Sequence, residues 1–99
     1  MIHNAIDIPR VPFIAPEQRD PHSGRLWEQY DRGEFGVEDE HVRNARHAYY
    51  GSISYVDERV GEVLDGLERS KLADNTIVIF LADHGDMLGE RGLWYKMSF

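Results

Sequence analysis

The stretch "TIVIFLADHGDMLGERGLWYKMSF", residues 76–99, decides the reading of this chain. Thr76 to Ala82 are apolar or β-branched, rich in isoleucine and valine and without alternation, which predicts a strand buried on both faces. An Asp-His-Gly follows at 83–85, then glycines at 89 and 92 and a lysine at 96. In open α/β sheets ligands bind beyond the carboxyl ends of the strands, where Asp83 and His84 stand. Gly85 lets the backbone turn sharply enough for both side chains to address one ion. A carboxylate oxygen beside an imidazole nitrogen suits a divalent metal, calcium or manganese, and the nitrogen tilts the choice toward manganese or another transition ion. Lys96 adds a point charge for an anionic group held by that metal. The same residues also read as a turn cap with a solvated histidine beside it and an exposed surface lysine.

Working back from the strand, Val42, Ala45, Tyr49, Ile53, Val56, Val60, Val63, Leu64 and Leu67 recur at spacings of three and four, which predicts one amphipathic helix within residues 37–71. Glu38, Asp39 and Glu40 open it and Arg69 and Lys71 close it, the polarity that suits the helix dipole. Continuous from Glu38 to Arg69, it would be about 48 Å long. Gly51 and Gly61 each cost about 1 kcal/mol in a helix interior and mark bends or close contacts. One strand cannot satisfy its own backbone groups. Either the chain oligomerises through residues 76–82 or that strand belongs to a larger sheet.

Residues 1–36 hold all four prolines and little periodicity, so they read as an irregular segment wrapped over a larger body. Val11, Phe13, Ile14, Leu26, Trp27 and Tyr30 are its anchors, with a short helical turn over Leu26 to Tyr30. Eighteen acids against eleven bases give a net charge of −7, which repels phosphate backbones and argues against nucleic acid as a partner. The longest apolar run falls far short of the ~20 residues of a membrane span. With no cysteine there is no disulfide, no thiolate metal site and no cysteine nucleophile.

The segment "SYVDERVGEVLDGLERSKLADNTIVIFLADHGDMLGERGLWYKMSF" resembles the sulfatase branch of the alkaline phosphatase superfamily, with helix, strand and "DHGDMLGE" in the family's order. Together with "IPRVPFIAPEQRDPHSGRL" and "RNARHAYYGSISYVD", it looks most like the choline sulfatases of that branch. The resemblance implies an α/β architecture, a portion of an alkaline phosphatase-like fold: a wrapping segment over 1–36, a helix over 37–71, a strand over 76–82 and a metal and sulfate loop over 83–99. It implies that Asp83 and His84 bind a divalent metal and that Lys96 contacts the sulfate and the leaving-group oxygen. The substrate class implied is a small sulfate ester. The parent enzyme is expected to be a homo-oligomer of the bacterial cytoplasm.

The departures from the family pattern are equally specific. Its nucleophile is a formylglycine made from cysteine or serine in a C/S-x-P/A-x-R element, and this sequence has neither the cysteine nor the element. The chain is therefore expected to be part of a sulfatase catalytic domain, inactive alone. The alternatives are a phosphonate monoester or phosphodiester hydrolase of the same superfamily, and a non-catalytic binding or assembly module.

Other residues read as structural. Asp86 is expected to bond its own backbone, Trp94 and Tyr95 to anchor the loop, and Glu90 and Arg91 to form a loop ion pair. His22 reads as structural, His47, Tyr49 and Tyr50 as packing residues, and His3 and His41 as solvated.

Overall fold

The computed structural model describes residues 5–11, 13–30 and 36–96. They divide into two units, one of the described residues of Met1–His47 and Asp83–Phe99, the other Ala48–Ala82. The anchors and solvated positions expected at the Tyr30 side chain and at His3 lie outside the described residues.

In the first unit, the N-terminal segment carries more structure than its prolines suggest. A 3-10 turn covers Pro16–Gln18, and helix α1 covers Pro21–Tyr30, where a short turn at Leu26 was expected. The reason is local. The Asp20 carboxylate accepts the N–H groups of His22 and Ser23, both at 3.0 Å, at the start of α1. Pro21 occupies the first helical position, where no amide hydrogen is needed. These bonds, with the Ser23 side chain first among them, hold the Asp20 pKa at about 2. Asp20 therefore stabilises the unit above its ordinary pKa of 3.8, and that contribution is lost as pH falls through about 2.

The core of this unit is small: Ile6, Leu26, Val42 and Leu93 are buried, with Ser23 and Arg46. Phe13 meets Trp27 edge-on at 5.2 Å between centroids, and the Arg19 guanidinium lies 4.0 Å from the Trp27 ring centroid. Val11 and Phe13 remain 46% and 56% exposed, so as anchors they cover surface only in part.

Gly92 fits against this aromatic pair. Its φ is +76°, and a β-carbon there would lie 3.1 Å from Trp27 Cζ3 and 3.2 Å from Phe13 Cδ2. Gly92→Ala is therefore expected to destabilise the unit by about 2 kcal/mol, from left-handed strain plus displaced rings. Urea unfolding followed by tryptophan fluorescence measures it, and an unchanged midpoint would contradict the contact.

Helix α2 covers Asp39–Arg69, close to the span its periodicity predicts, with Asp39 and Glu40 in the first turn and Arg69 in the last. His41 is exposed and its Nδ1 accepts the Glu38 N–H at 3.1 Å. The helix ends in a Schellman pattern. Lys71 takes φ +57°, its N–H bonds the Glu68 carbonyl at 2.9 Å, and the Leu72 N–H bonds that of Leu67 at 3.3 Å. A β-carbon at Gly51 or Gly61 meets nothing within 4 Å, so neither glycine marks a close contact.

The second unit corrects the expectation of a buried strand. Thr76 is extended, at φ −129° and ψ 129°, but no strand forms over 76–82 among the described residues. Ile77 is 88% exposed and Leu81 82%. A strand is made by its neighbours' N–H and C=O groups; the Thr76 N–H bonds the Ala73 carbonyl at 3.2 Å in the preceding turn, and among the described residues no backbone bond reaches 77–82. The apolar stripe of α2 behaves alike: Val42 is buried, whereas Ile53, Val56 and Val63 are more than half exposed. Among the described residues, no helix is long and apolar enough to cross a membrane.

Candidate functional site

Asp83 and His84 stand together directly after the apolar residues 76–82. Asp83 Oδ1 accepts the His84 N–H at 3.1 Å, and Oδ2 lies 3.5 Å from His84 Nε2. The imidazole Nδ1 lies 3.2 Å from the Gly85 carbonyl, and a neutral ring with its proton there would keep the Nε2 lone pair for a ligand. The Asp83 carboxylate is 90% exposed. Two cis ligands of one ion at about 2.1–2.4 Å would sit about 3.0–3.4 Å apart, close to the observed separation. The donor pair therefore fits a divalent cation. No group of three or more His, Cys, Asp or Glu side chains suited to a metal occurs among the described residues.

Lys96 is delivered by a nested loop. The N–H groups of Met87, Leu88 and Gly89 bond the carbonyls of Tyr95, Trp94 and Leu93 at 3.2, 3.4 and 2.8 Å. Lys96 follows directly on the last of these paired residues and is exposed. Among the described residues its ammonium group has no ion-pair partner.

The loop holds its shape under strain. Leu88, Gly89, Arg91 and Gly92 all have positive φ, and for the leucine and the arginine this costs about 1 kcal/mol or more each. What over-determines them is Arg46, on α2. Its side chain is 6% exposed, and its Nε donates to the Leu88 carbonyl at 3.0 Å. Nη1 donates to the Asp7 carbonyl at 2.9 Å and Nη2 to Glu90 Oε1 at 3.1 Å. Glu90 in turn accepts the N–H groups of Arg10 at 3.0 Å and Val11 at 2.9 Å, and the Arg91 N–H bonds the Val11 carbonyl at 2.6 Å.

The expected Glu90–Arg91 ion pair is therefore replaced. Glu90 turns to Arg46 and two backbone amides, partners unreadable from neighbours in sequence. Arg46 was missed altogether, although it lies four residues after Val42, on the face that α2 buries. Trp94 is half-buried, as an anchor should be, while Tyr95 is 57% exposed. Asp86 is exposed, and no hydrogen bond to its own backbone is formed.

Glu90 links the site to pH. The Val11 amide, acting against burial and aided by the Arg10 amide and Arg46, holds its pKa below the ordinary 4.5. A depressed carboxylate stabilises the fold fully above its unfolded pKa, and the gain is lost as pH falls from about 4.5 through the lower folded value. Glu90→Gln is expected to cost about 2 kcal/mol at pH 7, the worth of charge-assisted bonds on a half-buried group. The deficit should shrink below pH 4.5. Urea midpoints at a series of pH values measure it, and a deficit that grows on acidification would contradict the assignment.

A family model described as sulfatase matches residues 7–98. The chain is 50% identical over 91 residues to the choline-sulfatase of Rhizobium meliloti (strain 1021), covering 92% of this chain and 18% of that protein. It is 45% identical over 62 residues to the iduronate 2-sulfatase of Mus musculus, covering 63% and 11%. With the arylsulfatase of Clostridium perfringens (strain 13 / Type A) it is 40% identical over 55 residues, covering 56% and 11%. The chain thus spans less than a fifth of each of these relatives. With the family model matched along nearly all of its length, the chain belongs to the sulfatase family.

Proposed function

We propose that the chain is the part of a sulfuric ester hydrolase that supplies two ligands of a divalent-metal site and a sulfate-binding lysine. The observation that carries the reading is the Asp83–His84 pair at 3.5 Å in a chain that matches the sulfatase family model over residues 7–98. A bound divalent cation would supply Lewis-acid polarisation of a sulfuryl oxygen. Asp83 would contribute a hard anionic donor, and a proton on His84 Nδ1, directed at the Gly85 carbonyl 3.2 Å away, would leave Nε2 to ligate. The Lys96 ammonium donates hydrogen bonds to an anionic ester oxygen, and this stabilisation grows as charge develops on the leaving oxygen. The mixed oxygen and nitrogen donors favour manganese over calcium.

Formylglycine does not fit these residues: the sequence has no cysteine and no C/S-x-P/A-x-R element, so no step is derived through it. The exposed segment Thr76–Ala82 and the exposed stripe of α2 are surfaces that the remainder of an alkaline phosphatase-like sheet would cover. Fourfold or greater additional length in the relatives leaves ample chain to do so.

The substrate follows from the relatives only as a class, small sulfate esters, and hydrolysis of phosphonate monoesters or phosphodiesters is the competing reading. The test is to express the chain with its flanking coding sequence and compare a choline sulfate, an aryl sulfate and a phenylphosphonate ester. Sulfate esters should be preferred, and Asp83→Ala should lower kcat/KM by about 10²-fold or more. The 99-residue chain alone should turn over none of them. A preference for the phosphonate would replace the reading, and hydrolysis by the chain alone, abolished by Asp83→Ala, would remove the need for a completing partner.

A further inference from the structure

A cavity of about 320 Å³ in the first unit is lined by Ile14, Arg19, Asp20, Ser23, Arg91 and Leu93, among others. None of the three residues of the candidate metal and sulfate site lines it. Its polar groups are not in balance.

Asp20 is committed. Its carboxylate accepts the N–H groups of His22 and Ser23 and a bond from the Ser23 side chain, so its charge serves the start of α1. Arg19 is positioned but incompletely used. Its Nε donates to the Ile14 carbonyl at 2.8 Å, and its guanidinium lies 4.0 Å from the Trp27 ring centroid and 4.8 Å from that of Phe13. Its Nη2 is buried without a hydrogen-bond partner. Arg91 is held by its backbone, at φ +55° with its N–H on Val11, and forms no ion pair among the described residues.

Gln18, which also lines the cavity, brings a neutral amide with both donor and acceptor, so the imbalance lies in the charged groups, whose donors outnumber the one engaged carboxylate. Dry donors on a charged group are costly to leave unmet, and a neutral water could answer a hydrogen bond but not the charge. Two guanidinium groups against one engaged carboxylate leave a net positive lining. Ile14 and Leu93 add apolar wall, and the volume lies at the lower end of small-molecule sites, larger than a bare inorganic anion needs. The planar guanidinium fork matches the planar carboxylate best.

We propose that this cavity is a binding site for a small organic carboxylate, held between Arg19 and Arg91 with its apolar body against Ile14 and Leu93. It is independent of the catalytic reading, since it uses neither Asp83, His84 nor Lys96.

The test is an NMR titration of the ¹⁵N-labelled 99-residue chain with benzoate, with benzamide as the neutral isostere and sodium sulfate at matched ionic strength. Benzoate should give saturable shifts at the Arg19 Nε–H and the Ser23 amide, with affinity at least tenfold above benzamide and above sulfate. Arg91→Gln should weaken benzoate at least tenfold while the amide spectrum of α1 is kept. Should that variant not fold, Arg91→Lys, which keeps the charge and loses the fork, carries the same expectation. Asp83→Ala should leave the affinity unchanged. Linear, unsaturated shifts, equal binding of benzamide, or wild-type affinity in the Arg91 variant would overturn the site. Sulfate binding as tightly as benzoate would overturn the organic-carboxylate assignment.

Discussion

Arg46→Ala is expected to cost the first unit about 4 kcal/mol, a large share of the roughly 5–15 kcal/mol available to a whole domain. The buried guanidinium bonds the carbonyls of Leu88 and Asp7 and the Glu90 carboxylate, and joins the N-terminal segment, α2 and the loop after Asp83. Truncation strands all three acceptors and removes the buried stem of the side chain, losses of about 1–3 kcal/mol for each acceptor that water fails to reach. The Asp7 carboxylate, 3.5 Å away and 66% exposed, adds little of its own. Glu90 keeps its two backbone donors, which moderates the total.

Urea unfolding measures this loss, and Arg46→Lys separates its causes. Lysine retains charge and stem but reaches one acceptor at a time, so it should recover less than half. Arg46→Met, which fills the space without the charge, should fall between Lys and Ala. A loss below about 1 kcal/mol in Arg46→Ala would mean that the strained loop is held by something else.

Lys96→Ala, made in the whole enzyme under the proposed function, is expected to lower kcat/KM by about 10³-fold, or about 4 kcal/mol of transition-state stabilisation. The effect should be larger for an alkyl sulfate than for an aryl sulfate with a good leaving group, because the ammonium meets more developing charge on the poorer one. That dependence separates a chemical role from a merely structural one, which would lower both equally. An exposed side chain without an ion-pair partner should also leave the urea midpoint within about 0.5 kcal/mol. A fall of less than tenfold, or one indifferent to the leaving group, would remove Lys96 from the reaction.

Much of the candidate site was legible because its signals are local. Asp83 and His84 are adjacent, Gly85 follows at once, and the periodicity that predicted α2 is carried by residues three and four apart. Even the missed helix α1 announced itself in "DPHS", an acid before a proline at a helix start. The clamp was not legible in the same way. Arg46 and Glu90 are 44 residues apart and Glu90 and Arg10 are 80 apart, and nothing in the spacing of charged residues says which of several acids an arginine will meet.

By itself, the sequence determined the long helix, the adjacent Asp83 and His84 at the end of an apolar run, and the family. It did so because helix periodicity, capping and motif order are properties of neighbours along the chain. Only the tertiary structure decided that no strand forms over 76–82 among the described residues, that Glu90 answers Arg46 instead of Arg91, and that Arg19 keeps a buried donor unmet. Those outcomes depend on which distant groups arrive to satisfy a backbone or a charge, and a strand without neighbours is an extended segment whatever its composition.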